Sequence, residues 1–209
     1  YKRVDFINYW LYTFTATCLL CLVEPFVAIW LGQDFVLTKA ILILAVAIYY
    51  FKGINSGIDI AKNAAGLYYP DRFIPMAEAI ANMVISIVLA KRYGIAGVLF
   101  GTLVSFLALS FWAKPYFVCR DVFEVSFARY AVREGREIVV SVLVAAGTWY
   151  AVSLVSLENV LLSFGVKALL ALALSNGLLL LVYFKTSEFQ YLRGLLESAA
   201  NRIGKRKKA

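Results

Sequence analysis

Residues 95–113 have the sequence IAGVLFGTLVSFLALSFWA, a run of apolar and small residues without a charged side chain. A membrane-spanning helix needs about 20 such residues, because the hydrocarbon core of a bilayer is about 30 Å thick. The whole chain has the same character: 62% of its 209 residues are hydrophobic, and its mean hydropathy is +0.78. So much apolar surface exceeds what a soluble domain of this size can bury, and it predicts an integral membrane protein.

Further apolar runs of comparable length lie on both sides of this one. The predicted spans are residues 6–23, 36–50, 73–90, 95–113, 138–155 and 160–184. Helix-favouring residues continue the second span to Tyr69. Pro25 and Pro115 are expected to end the first and fourth spans, whereas Pro75 falls in the first turn of the third, where proline is tolerated. The predicted fold class is an all-α membrane protein of about six transmembrane helices.

The charges are distributed as in a multi-pass membrane protein. The net charge is +8, but the basic residues lie between apolar runs and at the C-terminus, which argues against nucleic-acid binding. Lys and Arg concentrate in alternate loops, so the positive-inside rule places both ends of the chain in the cytoplasm. Residues 121–136 are predicted to form an interfacial connector helix, and residues 186–209 an amphipathic helix with a basic tail that anionic lipids attract.

The residue types required for enzymatic and metal chemistry are scarce. Histidine is absent, which removes the commonest general base and metal ligand. Cys18 and Cys21 lie within an apolar run, where a thiol behaves as a small hydrophobe, and with Cys119 they are too few for a disulfide framework. No phosphate-binding glycine loop or catalytic serine motif is present in the sequence. The sequence therefore predicts no catalytic residues, no metal site and no cofactor.

Ionisable and polar residues at membrane depth are costly, and they are the first functional candidates. On the second helix they recur at three- and four-residue spacing, and on the third they stand one turn apart, so each set forms one stripe. The predicted substrate-binding residues are Lys52, Asn55, Ser56, Asp59, Lys62, Asn63, Glu78, Asn82 and Ser86. The first span also has a polar side, so the first three helices are predicted to line a shared cavity.

Structural roles compete with this hypothesis. The lysines could extend along the helix to the membrane surface, and Asn82 and Ser86 could hold helices together. Gly97, Gly101 and Ser105 form a ridge of small residues on the fourth span, which predicts close helix packing.

Three ordered segments carry a resemblance to a known family. They are residues 24–32 (EPFVAIWLG), 63–72 (NAAGLYYPDR) and 91–102 (KRYGIAGVLFGT), with Glu78, Asn82 and Ser86 between the last two. Over residues 6–130 the chain resembles the C-terminal half of bacterial polysaccharide flippases, which belong to the multidrug/oligosaccharidyl-lipid/polysaccharide exporter superfamily. The last two spans agree only as generic apolar helices.

The resemblance implies one lobe of a two-lobed transporter in the bacterial cytoplasmic membrane. Such a protein moves an undecaprenyl-diphosphate-linked oligosaccharide to the outer leaflet. Lys52 and Lys62 would meet the diphosphate, the amide and hydroxyl side chains of the candidate set would meet sugar, and Asp59 and Glu78 would pair with the lysines or titrate. The expected partners are this substrate, membrane lipids and the missing N-terminal half.

On this interpretation residues 1–120 form the four-helix lobe, 121–136 the connector, 137–185 two additional peripheral helices, and 186–209 the amphipathic helix and tail. Three alternatives remain open: a drug or cation exporter of the same superfamily, a membrane-embedded glycan polymerase or transferase, and a scaffolding subunit. Because exporters of cations favour acidic cavities, the sign of the cavity charge distinguishes the first alternative.

Overall fold

The computed structural model describes residues 2–69, 71–155, 159–184, 186 and 189, and every regular element within them is helical. The helices are α1 (Lys2–Trp30), α2 (Lys39–Ala64), α3 (Ile74–Tyr93), α4 (Ile95–Ser105), α5 (Phe111–Asp121), α6 (Phe127–Ser153) and α7 (Val160–Tyr183). A five-residue π segment, Phe106–Ser110, joins α4 to α5. In the described ranges six helices, α4 and α5 counting as one, are long and apolar enough to cross a membrane. This confirms the predicted fold class.

The prolines mark the helix ends less often than predicted. Pro75 lies in the first turn of α3, as expected. Pro25 lies inside α1 and Pro115 inside α5, so the prediction that they end their spans is wrong. Membrane helices tolerate internal proline because neighbouring groups satisfy the freed carbonyl and local π turns widen the helix. The π segment directly precedes α5, with the Phe111 N–H bonded to the Phe106 carbonyl.

Two other boundaries differ from the predictions. The second helix ends at Ala64, before Tyr69, because Gly66 adopts a φ of 68° that breaks the helix. Residues 127–136 are the first turns of α6, so most of the predicted connector is continuous with the fifth span rather than a separate interfacial helix. The one acidic residue of this segment, Glu134, is buried beside Asp5 of α1, with carboxylate oxygens within 4.8 Å, so the segment packs against α1. The predicted amphipathic tail lies outside the described residues, apart from Thr186 and Phe189.

Helix α1 is the centre of the bundle, and α2, α6 and α7 pack around it. Phe6 and Tyr9 form a buried cluster with Val144 of α6 and Leu179 and Tyr183 of α7. The two helices expected to be peripheral therefore share a core with α1.

On the other side of α2 lies the continuous helix α4–α5, and α3 packs against α4. The predicted ridge of small residues makes this last contact. A Cβ atom on Gly97 would collide with the backbone of Leu89, and one on Gly101 would lie 2.5 Å from the Ser86 hydroxyl. The ridge therefore permits a close approach of α3 and α4.

Candidate functional site

The polar stripe of α2 meets polar groups on the helix formed by α4 and α5. Along that helix Phe106, Ser110 and Lys114 follow one another at four-residue intervals. Lys114 Nζ lies 3.0 Å from Asp59 Oδ1 and 3.3 Å from Asp59 Oδ2. Ser110 is buried and donates a hydrogen bond to Glu78 of α3. We call Lys52, Asp59, Glu78, Ser110 and Lys114 the polar seam.

Lys52 differs from the other members of the seam. It lies at the middle of α2, and its side chain is exposed. Its ammonium nitrogen is 5.7 Å from the centroid of the Phe106 ring, a cation–π distance. Within the described residues no ion pair includes Lys52. The structure thus presents an exposed ammonium group at the middle of a membrane-length helix.

Lys62 has a partner that sequence reasoning did not identify. Its Nζ lies 2.6 Å from Asp71 Oδ2, and the two side chains are 14% and 3% exposed. Asp71 belongs to the turn before α3, so the pair fixes the connection between α2 and α3. Asn63 is exposed in the last turn of α2. Of the charged residues in the predicted stripe, Lys62 and Asp59 are therefore in ion pairs, whereas Lys52 is exposed.

Ser56 of α2 contacts α1, and its neighbour Asn55 is buried in the interior. Asn8 Nδ2 of α1 donates to Ser56 Oγ at 2.8 Å. Asn55 is only 2% exposed, and its amide atoms have no hydrogen-bond partner within the described residues. Burying an amide unpaired costs about 1–3 kcal/mol, so Asn55 is an unusual residue.

Asn82 and Ser86 lie in the contact between α3 and α4. The Asn82 carbonyl accepts from Ser86 Oγ at 2.8 Å and from Thr102 Oγ1 of α4 at 3.2 Å. Ser86 also lies against Gly101. These bonds favour the structural alternative for both residues, because they join two helices at their closest approach.

A second charged group, absent from the predicted set, links α1 to the start of α6. Asp5, Glu134 and Glu137 are buried, and their carboxylate oxygens lie within 4.8 Å of one another. Arg133 pairs with Asp5, and its Nε lies 3.4 Å from Glu137 Oε1. We call these four residues the inner charge cluster. Because a guanidinium pairs with two of the carboxylates, we assign the cluster to helix packing. The i, i+4 spacing of Arg133 and Glu137 was the available sequence signal.

A cavity of about 310 Å³ lies between α1, α2 and α6. Most of its lining is apolar, with hydroxyl groups at one end and charged groups at the other. Its walls are formed by Thr13, Ala16, Thr17, Leu20, Glu24, Lys39, Leu42, Ile43, Val46, Ala47, Tyr50, Phe51, Ser141, Val142, Ala145, Ala146 and Trp149. The predicted site residues, all of them described, are absent from this lining. Sequence reasoning missed the cavity because apolar residues that enclose a space look like apolar residues that fill one.

Comparison with protein-family models, with curated proteins and with solved structures finds no match for this chain. Its function therefore has to be inferred from its own residues. They make it a multi-pass, all-α membrane protein with two features: a charged seam that is exposed at Lys52, and an apolar cavity between α1, α2 and α6.

Proposed function

We propose that this chain is one lobe of a bacterial flippase that moves an undecaprenyl-diphosphate-linked oligosaccharide across the cytoplasmic membrane. The observation that carries the proposal is the exposed ammonium group of Lys52 at the middle of α2. The resemblance of residues 6–130 to the C-terminal half of such flippases supplies the substrate class.

The position of Lys52 is costly if α2 faces lipid there. A lysine at the centre of a membrane helix is unfavourable by about 2.5–3.5 kcal/mol on insertion scales. A side chain at that depth cannot easily reach either membrane surface. The cost disappears if this face of α2 lines a water-filled space, as it does in a lobe that encloses a transport cavity together with a second lobe.

The chemistry of the seam suits an anionic headgroup. Its two acids have partners, Asp59 with Lys114 and Glu78 with Ser110, whereas Lys52 presents its charge outward. An exposed ammonium favours a diphosphate and disfavours a cationic drug, which supports the flippase over the cation exporter. Lys62 is held by Asp71, so in this proposal Lys52 is the principal headgroup contact and Lys62 has a structural role.

The first test measures whether water reaches the polar seam at position 52. Lys52→Cys is compared with Leu172→Cys, which is also exposed and near the middle of its helix but lies on α7. In intact cells expressing the complete transporter, a charged, membrane-impermeant maleimide should modify the thiol of Lys52→Cys at least about tenfold faster than that of Leu172→Cys, because thiolate formation needs water. The parent chain, without either substitution, reports any reaction at the native thiols. Equal protection of both introduced thiols would overturn the proposal.

The second test measures transport. Lys52→Gln in the complete transporter should reduce export of lipid-linked oligosaccharide by about tenfold or more, if the ammonium contributes about 1.4 kcal/mol or more to headgroup binding. Lys52→Arg keeps the charge and should retain most of the export. Membrane insertion and thermal stability of both variants should equal those of the parent. Unchanged export in Lys52→Gln would refute the role of Lys52 in headgroup binding.

A further inference from the structure

The cavity between α1, α2 and α6 is separate from the polar seam and is built differently. Helix α1 forms its floor, and α2 and α6 form its walls. At one end the walls are joined by a hydrogen bond of 2.8 Å from Tyr50 to Ser141. At the other end Lys39 Nζ lies 5.9 Å from the centroid of the Trp149 ring. Direct contacts between α2 and α6 therefore close both ends.

The polar groups at the closed inner end form hydrogen bonds with one another or with the backbone. Thr13 and Ser141 share a hydrogen bond of 2.7 Å, and Thr17 Oγ1 donates to the Thr13 carbonyl at 2.8 Å. Tyr50 uses its hydroxyl proton on Ser141. Water in the cavity would find few free partners there, and apolar cavities of this kind stay dry. The inner part of the cavity is therefore suited to hydrocarbon.

The cavity opens sideways toward the bilayer. Ile43 of α2 and Val142 of α6 line it and are 52% and 60% exposed. Both helices are membrane-length, so this opening lies at the depth of lipid chains. If this apolar space were empty, the side chains that line it would lack dispersion contacts on one side. A lipid acyl chain that enters from the bilayer supplies those contacts.

The outer end carries one charge of each sign. Lys39 is the first residue of α2, and Glu24 lies near the end of α1, so both lie close to one end of their spans. Trp149 lies near the end of α6, as expected for a residue of the membrane interface. An ammonium and a carboxylate at the same end of the cavity complement a headgroup with one phosphate and one ammonium. A diphosphate would gain from Lys39 but would be repelled by Glu24.

We infer that this cavity binds one phospholipid of the phosphatidylethanolamine class. One acyl chain occupies the apolar interior, the phosphate lies at Lys39, and the ammonium lies at Glu24. The lipid seals the gap between α2 and α6 on the side of α2 away from the seam. This inference does not depend on the proposed transport function.

The test uses the purified full chain, delipidated in detergent and titrated with lipid under native mass spectrometry. The wild-type protein should bind dioleoylphosphatidylethanolamine about tenfold more tightly than dioleoylphosphatidylglycerol or undecaprenyl diphosphate, since each tenfold is about 1.4 kcal/mol. Glu24→Gln should remove that preference by improving the binding of the two anionic lipids. Tighter binding of either anionic lipid to the wild type would overturn the assignment of the headgroup.

A matched pair of variants tests where the acyl chain of the lipid binds. Ala47→Leu places a larger side chain in the cavity, whereas Ala45→Leu makes the same change at an exposed position of α2. Ala47→Leu should weaken phosphatidylethanolamine binding about tenfold and Ala45→Leu less than about twofold. Equal effects of the two variants, or no effect of Ala47→Leu, would show that the chain binds elsewhere. Glu24→Gln provides a variant that leaves the cavity volume intact if Ala47→Leu fails to fold.

Discussion

The inner charge cluster and the polar seam both place ionisable groups on membrane-length helices, but they treat charge in opposite ways. In the inner cluster Asp5, Glu134 and Glu137 are buried around Arg133, near the first turns of α1 and α6. In the seam Lys52 lies at mid-helix with its charge exposed. Buried charge that is paired with opposite charge holds helices together. Exposed charge at the middle of a membrane-length helix is costly unless water or a ligand outside the bundle solvates it. The difference separates a packing device from the surface that we propose to be functional.

The largest effect is expected from the removal of Arg133. Arg133→Met should lower the free energy of unfolding by about 3–5 kcal/mol, because it leaves buried carboxylates uncompensated. The measurement is an SDS-unfolding titration of the purified chain in mixed micelles. Arg129→Met, four residues earlier on α6 and exposed, should change it by less than about 0.5 kcal/mol. A loss below about 1 kcal/mol for Arg133→Met would mean that the cluster is solvated and has no packing role.

A smaller effect is expected at Lys62, a predicted substrate contact that the structure pairs with Asp71. Lys62→Met should destabilise the chain by about 2 kcal/mol, because the Asp71 carboxylate, 3% exposed, loses its counter-charge. The neighbouring, exposed Asn63→Ala should have little effect in the same titration. If Lys62→Met leaves stability unchanged while transport falls, Lys62 belongs with Lys52 on the functional surface.

Sequence reasoning identified the features that depend on local composition. The apolar lengths predicted the membrane helices, and the spacing of Gly97 and Gly101 predicted close helix packing. It could not identify the partners of the charges. Lys114 and Asp5 lie on other helices than the groups they bind, so pairing depends on how the helices cross, and Asp71 lies in a turn whose path the sequence does not specify.

The errors have the same origin. The local rules for proline predict that Pro25 and Pro115 end helices, but these rules come from helices in water, whereas helices in a bilayer have no solvated alternative for their backbone. The charges at the start of α6, taken alone, predict an interfacial segment. Its acids are instead buried against α1, since Arg133 and Asp5 compensate each other there. Neither outcome can be derived from the residues of one segment alone, because both depend on what surrounds that segment.

The smallest effect is expected at the pair of Asp59 and Lys114, which is an ion pair within the polar seam. It is a true ion pair at 3.0 Å, but the Asp59 side chain is 39% exposed, so solvent screens it. A double-mutant cycle with Asp59→Asn and Lys114→Gln should give a coupling energy of about 1 kcal/mol, between the values for surface and buried pairs.

The salt dependence of this coupling energy shows whether water reaches the polar seam. If water reaches the seam, raising the ionic strength from about 0.1 M to about 1 M should abolish most of the coupling, because the Debye length falls from about 10 Å to about 3 Å. The pair formed by Arg133 and Asp5, with side chains 23% and 6% exposed, should keep its coupling under the same conditions. A coupling between Asp59 and Lys114 that resists salt would place the seam out of contact with water. That result would remove the physical basis for treating Lys52 as part of a transport cavity.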